Sequence, residues 1–533
     1  MNLIKYIDKL PIPPTVKPMD KKGNINYYEM KMNQFYTKMH SSLPNTLVWG
    51  FEGHYPGPTI DVKQFEKIQI KWMNELPPKH LFSVDKTIHG AEGDTPEVRT
   101  VIHVHGGINK AESDGYPDAW FTNGFKQVGS DFTQEVYQYS NLHEATTLWY
   151  HDHTIGITRL NIYAGLAGFY LIRDQNELSL SLPKGKYEIP LMIQDRTFNP
   201  DGSLYYPEQP PDAFEPTPKF FGDTIVVNGK VWPYLDVEPR RYRFRILNGS
   251  NSRYYILKLD NGQPFIQIGN DGGFLEKPVI MEEILLGPAE RADVIIDFSD
   301  SQVNKIVLLN LAPEEYPSEG EISIDTTGQI MQFRVTLPLM SKDVSKVPAR
   351  LRNVQFLKEE DAVKNRVLTL VRSLDDMGRR IVLINNQRWD DPITEKPKLG
   401  DTEIWTFINS SVSIHPMHLH LVNVQILDRQ SYDQELFLKT GEIKMTGEKR
   451  PPAQNETGWK DTVNSYPGEI IRIITKFEPY TGKYVFHCHI VEHEDYEMMR
   501  PYEVVKQSRN LYWLKSIYNK YLNQVHLKLR KGT

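Results

Sequence analysis

Ten histidines and one cysteine are the residues whose types and spacing could do chemistry. The histidines fall in four short motifs: HVHG (His103, His105), YHDH (His151, His153), HPMHLH (His415, His418, His420) and HCHIVEHEDYEM (His487, His489, His493). Imidazoles gathered this tightly call for a metal. An isolated histidine is ordinarily packed or solvated, and that is the reading for His40, His54, His80, His89, His143 and His526. Ligand type then selects the metal. Imidazole suits zinc, copper, iron and nickel, but two histidines with one cysteine and a weak methionine form the set of a blue-copper centre. Here that set is His415, Cys488, His493 and Met498, with Met499 as the other axial candidate. Structural zinc would use more cysteines or a compact four-ligand pairing, and zinc is redox-inert. Cys488 is the single cysteine, so internal disulfides are excluded, and as a metal-bound thiolate it should be buried.

Strand geometry explains the HCH triplet. Side chains alternate along a strand, so Cys488 faces one side while His487 and His489, each about 3.3 Å along the chain, face the other. One peptide then joins two metal centres, the arrangement an electron relay requires. The remaining His-x-His pairs use the same alternation, and eight histidines are left for the second cluster.

These motifs must be positioned by strands. Short alternating segments separated by Gly and Pro fill most of the chain, which predicts an all-β fold of sandwich or barrel domains. One strand recurs: KIQIKWMN ends at Asn74, RYRFRILN at Asn248 and TEIWTFIN at Asn409, spaced by 174 and 161 residues. Ile70 and Trp72, Phe244 and Ile246, and Trp405 and Phe407 should then share one face in each copy. Self-similarity at this spacing implies three related domains. The first and third are the closer pair, because LWYHDH and YVFHCH are displaced by 336 residues where the Asn strand is displaced by 335. The middle copy has no histidine and reads as a spacer. The expected division is 1–176, 177–340, a charged connection 341–366, 367–505, and a C-terminal extension 506–533.

Bulk properties agree. A length of 533 residues with 39% hydrophobic, 24% charged and 11% aromatic residues fits a multidomain folded protein. No run approaches the roughly 20 apolar residues of a spanning helix. The start MNLIKYIDKLPIPP lacks the apolar centre of a signal peptide, so the chain is expected to be made in the cytoplasm and to stay in the cell that makes it. A net charge of -6 leaves no basic footprint for nucleic acid.

HxHG, HxH, HPxHxH and HCHxxxHxxxxM, in this order, resemble the four copper motifs of the multicopper oxidases. WGFEGHYPGPTI, GYPDAWF, LWYHDH, VNGKVWPYLDVEPRRYRFRILN and YVFHCHIVEHEDYEMMRP narrow the resemblance to bacterial spore-coat laccases, over roughly residues 1 to 505. The resemblance implies three cupredoxin-like Greek-key domains and four coppers per chain. It places the type 2 ion on His103 and His418, and the type 3 pair on His105, His151, His153, His420, His487 and His489, shared between the first and third domains. Its spacing favours Met498 as axial ligand, and Asp152 stands where the third domain has Cys488, so one blue centre is expected. Glu494 and Asp114 match acids that the family places near its oxygen-reducing cluster, and His493 matches the edge where electrons enter.

The implied activity is one-electron oxidation of phenols and aromatic amines, coupled to reduction of dioxygen to water. Bilirubin or aminophenol oxidation is the same chemistry. A metal-ion oxidase is the nearest alternative, although the 15 methionines form no rich insert. A two-domain copper nitrite reductase fits the three repeats poorly, and a structural spore-coat or copper-storage protein is the alternative of another class. The polar loop 441–459 is a candidate rim for the donor pocket. Residues 506–533 carry seven Lys or Arg and no acid, with Leu511, Leu514, Ile517, Tyr518, Tyr521, Leu522 and Val525 at helical spacing. Such a stripe packs on the body of the protein or meets a coat or membrane surface. Spore-coat location rests on the resemblance alone.

Overall fold

The computed structural model describes residues 3–208, 219–300, 303–318 and 320–507. His526 and the basic extension, from residue 508 on, lie outside the described residues.

Three sheet pairs follow one another along the chain. A five-stranded and a four-stranded sheet span Asp20 to Arg173, an eight-stranded and a five-stranded sheet span Glu188 to Val335, and a five-stranded and a four-stranded sheet span Ala362 to Val504. Successive strands cross between the two sheets of a pair, as Greek-key cupredoxin-like domains do. Each pair closes on its own apolar core: Ile70, Trp72 and Tyr150 in the first, Phe244, Ile246 and Phe333 in the second, Trp405, Phe407 and Phe486 in the third. The side chains expected to share a face in each repeat strand therefore do so.

The repeat is also visible in pairing. Ile68–Asn74 runs parallel to Ile25–Thr37, Arg241–Asn248 to Glu188–Phe198, and Thr402–Asn409 to Ala362–Leu374. The terminal Asn has a local reason. Its Oδ1 accepts the backbone N–H two residues on, from Leu76, Ser250 and Ser411 at 3.0, 3.0 and 2.9 Å. An Asx turn thus ends each strand at the same point. The strand Ala362–Leu374 begins inside the stretch read as a connection, and Leu10, Met39 and Leu43 join the middle core from the first domain's end of the chain.

Two strand pairs present the metal motifs. Ile102–His105 lies antiparallel to Thr146–Asp152 with His103 opposite His151. His415–Leu419 lies antiparallel to Gly482–Cys488 with Met417 opposite Cys488 and His418 opposite His487. His153, His420 and His489 follow just past the strand ends.

Candidate metal centre

The two histidine-bearing sheets face each other and their rings interleave. His103 stacks on His420 and His105 on His418, both pairs with centroids 3.7 Å apart and planes at 17° and 16°. Equivalent positions of the first and third domains are exchanged in these stacks, a local pseudo-twofold. Where a ring makes an outer hydrogen bond, that bond identifies the nitrogen left facing inward. Nδ1–H donates from His103 to the carbonyl of Asp114 (2.6 Å), from His151 to that of Asp152 (2.8 Å), from His418 to that of Asp461 (2.8 Å) and from His420 to Asp114 Oδ2 (2.7 Å). Their Nε2 lone pairs point into the cluster. His105 is reversed: Nε2–H faces Asp461 Oδ1 and Thr462 Oγ1, both at 3.1 Å, and Nδ1 points inward.

Inward nitrogens gather in groups. The Nε2 atoms of His153, His420 and His487 are 3.2, 3.2 and 3.3 Å from one another. Ligand atoms at tetrahedral corners around an ion with metal–nitrogen bonds of about 2.0 Å are separated by about 3.3 Å. Nδ1 of His420 is taken by Asp114, and those of His153 and His487 lie 3.4 and 3.0 Å from the two oxygens of Glu494. Three lone pairs aimed at one point repel unless a cation stands between them. His105, His151 and His489 form a second trio, and His103 joins His418 in a further group. Nε2 of His103, His151, His418 and His489 and Nδ1 of His105 are buried without a hydrogen-bond partner among the described residues. Each would cost about 1–3 kcal/mol if left so, and metal ions remove that cost. All eight rings are held neutral by burial, those of His153 and His487 lowered to about 4, which is the form a metal needs.

Three acids tie the halves together. Asp114 meets His103 and His420, Glu494 meets His153 and His487, and Asp461 meets His105 and His418; each bridges a first-domain ring to a third-domain ring. Burial pushes the Glu494 carboxyl up to about 8, with neighbouring His153 pulling it down, and raises Asp114 well above the carboxylate range. Glu494 and Asp114, the two acids singled out in the sequence, thus lie against the histidine cluster. Asp461 escaped that reading. So did Arg291 of the middle domain, whose buried guanidinium holds Asp461 through Nη1–Oδ1 (2.8 Å) and Nη2–Oδ2 (2.5 Å). The Gly of HVHG is explained here: Gly106 has φ +81°, and a Cβ on it would collide with Asp461 Oδ2.

On the opposite face of its strand, Cys488 is fully buried, with Sγ 3.4 Å from His415 Nδ1 and 3.8 Å from His493 Nδ1. A trigonal metal with bonds of about 2.0 Å to nitrogen and 2.3 Å to sulfur separates these atoms by roughly 3.7 Å. Burial pushes the thiol well above its ordinary pKa, against a weak pull from the Ile490 N–H, so only a cation would hold it as thiolate. Met498 is buried in the Cys488 cluster, whereas Met499 packs with Ile155, Trp389 and Val485 on the other side. Asp152, at the position matching Cys488, takes hydrogen bonds from Val101, Thr154 and Asn161 and serves structure.

Family models described as multicopper oxidase match residues 94–177, 194–310 and 361–508. The chain belongs to the multicopper oxidases. Among its relatives in that family, laccases of Bacillus stratosphericus and Bacillus subtilis (strain 168) are each 49% identical to it, over 95% of this chain and 100% and 99% of theirs. The crystal structure of a laccase from Pediococcus acidilactici superposes with a TM-score of 0.74 at 28% identity, over 94% of this chain and 95% of that one. A multicopper oxidase of this similarity is a copper-dependent oxidoreductase of the laccase type.

His493 is half-buried and its edge lines a cleft of ≈680 Å³ between the middle and third domains, with Tyr316, Val412 and Tyr496 among its walls. That volume suits a small aromatic molecule. The loop 441–459 does not line this cleft, contrary to expectation. Arg450 pairs with Arg429 and Met445 with Tyr432, and both guanidinium nitrogens of Arg429 hold Glu456 at 2.7 Å, folding the loop back along Val424–Ser431. The isolated histidines have local duties: His40 faces the Ile4 carbonyl, His80 faces Asn161, and His143 accepts the Ile108 N–H. No helix among the described residues is long and apolar enough to cross a membrane.

Proposed function

We propose that His415, Cys488, His493 and Met498 hold the type 1 copper, His103 and His418 the type 2 copper, and the trios His105, His151, His489 and His153, His420, His487 the type 3 pair. The convergence of three Nε2 lone pairs at 3.2–3.3 Å, each backed by a carboxylate, carries this reading. When bound, the coppers supply one-electron exchange with a donor and the four-electron reduction of dioxygen to water. The protein's own part divides by position. His493 meets the donor in the cleft. Cys488 fixes the distance between donor site and cluster, because His487 and His489 are its peptide neighbours. Burial raises the Glu494 carboxyl to about 8 beside His153 and His487 and raises that of Asp114 beside His420, so both favour the protonated form more than an exposed carboxyl does. Both are placed as general acids for the protons that water formation consumes.

The donor is a phenol or aromatic amine, with bilirubin and aminophenols inside the same chemistry. Oxidation of metal ions is less well served, because the only carboxylate among the cleft's described lining residues, Glu315, is paired with Lys219. We place the first two domains at 1–176 and 177–340, the third from the strand Ala362–Leu374 to residue 505, and the protein in a spore coat. Uptake of oxygen on 2,6-dimethoxyphenol, read beside the visible spectrum, tests the reading. Copper-loaded protein should be blue and consume one dioxygen per four donors, and Cys488→Ser should lose both properties. Copper uptake without sustained oxygen consumption would leave a storage protein, and a blue Cys488→Ser variant would overturn the assignment.

A further inference from the structure

The cleft beside His493 is charged in one sense. Among its described lining residues Lys219, Arg372 and Arg380 are cationic and Glu315 alone is anionic, on a chain whose net charge is -6. Lys219 pairs with Glu315. Arg372 is exposed on Ala362–Leu374 and forms no ion pair among the described residues. Ile381, Val382 and Val412 supply apolar wall between the charges. A cleft with an aromatic-sized apolar slot, a redox-active edge at its base and an unspent guanidinium at its side is built for a ring that carries an anion.

We propose that the cleft recognises anionic aromatic donors, phenols bearing a carboxylate, through Arg372 with help from Lys219. The proposal rests on the donor site being at His493, as argued above. Arg372 would receive the carboxylate while the phenol turns toward the His493 edge. The reaction itself is unchanged: the phenol loses one electron and its hydroxyl proton, and dioxygen remains the oxidant. A cationic cleft also repels metal cations, so the same feature separates aromatic from metal-ion oxidation.

The test compares 4-hydroxy-3,5-dimethoxybenzoate with 2,6-dimethoxyphenol on the full-length copper-loaded enzyme. The exposed pairing predicts a KM about two- to fivefold lower for the acid at low salt, with the gap closing as ionic strength rises. Arg372→Gln should raise KM for the acid, relative to KM for the neutral phenol, by about that factor; adding Lys219→Gln should remove the remaining preference. Calorimetric titration with 3,4,5-trimethoxybenzoate, which has no phenol to oxidise, reads recognition without turnover, and its affinity should fall in Arg372→Gln while 3,4,5-trimethoxybenzamide is unaffected. Equal KM for acid and neutral phenol, or an acid preference that survives both substitutions, overturns the inference while leaving the oxidase reading intact. Absence of turnover on either donor would instead refute the oxidase reading.

Discussion

The Cys488 site and the histidine cluster both rely on buried imidazoles but are built in opposite ways. His415, Cys488, His493 and Met498 come from one domain, lie on two paired strands and the short turn after them, and leave one ring edge in a cleft. The cluster draws four rings from the first domain and four from the third, leaves no ring edge exposed, and is braced by Arg291 from the middle domain. Donor access needs an edge at the surface, whereas oxygen chemistry needs a sealed interior. Sealing was achieved by making the cluster from an interface, so the domain without ligands is still part of the site. Damage at the interface should therefore empty the cluster and spare the blue centre.

The largest test of that contrast is Arg291→Ala. It leaves the Asp461 carboxylate buried and unpaired, a change that typically costs about 3–5 kcal/mol. Copper analysis should show loss of cluster ions, with a changed type 2 paramagnetic resonance signal, while the blue band of the folded fraction persists; parallel loss of the blue band would break the contrast. Glu494→Gln acts on turnover without dismantling either region. Removing a positioned general acid costs about a hundredfold or more, so steady-state oxygen uptake should fall by that factor. Anaerobic bleaching of the blue band by a phenol should keep its rate.

Acid sharpens the comparison further. Burial holds the cluster imidazoles below the ordinary value near 6.5, with His153 and His487 at about 4, and it also lowers His80 and His143 to about 4. The unfolded chain then binds more protons as pH falls, so this contribution is intact above about pH 6.5 and is lost on descent toward 4. Copper-free protein should lose Tm across that window, less what Glu494 and Asp152, raised to about 8 and 7, contribute in the opposite sense; a Tm that rises on acidification would mean that the imidazoles contribute nothing. The smallest effect separates two neighbours. Met499→Leu should cost under about 1.5 kcal/mol and leave the blue band alone, while Met498→Leu should shift the band and its potential.

Much of this was legible in the sequence because metal ligands must be close in space and strands bring i and i+2 together. HVHG, YHDH and HCH therefore show themselves as local pairs, and the Asn ending each repeat strand marks a turn made by its own side chain. Asp461 and Arg291 leave no such trace. They meet across 170 residues, and a lone acid in GWKDTV resembles any other acid until the fold sets it against His105. Loop 441–459 misled for the same reason: its polarity suited a pocket rim, but the Arg429 to Glu456 pairing that folds it away is a tertiary contact. The charge of the donor cleft was equally hidden, since Lys219 of the middle domain meets the hairpin that carries Arg372 and Arg380 only in the fold.

Anomalous diffraction at the copper edge, from crystals grown with excess copper, tests the central claim most directly. The account predicts four peaks: one bonded to Cys488 Sγ, and three enclosed by the eight interleaved rings, with His105 bound through Nδ1. A bare sulfur at Cys488, or histidine trios that bind no metal, would contradict it.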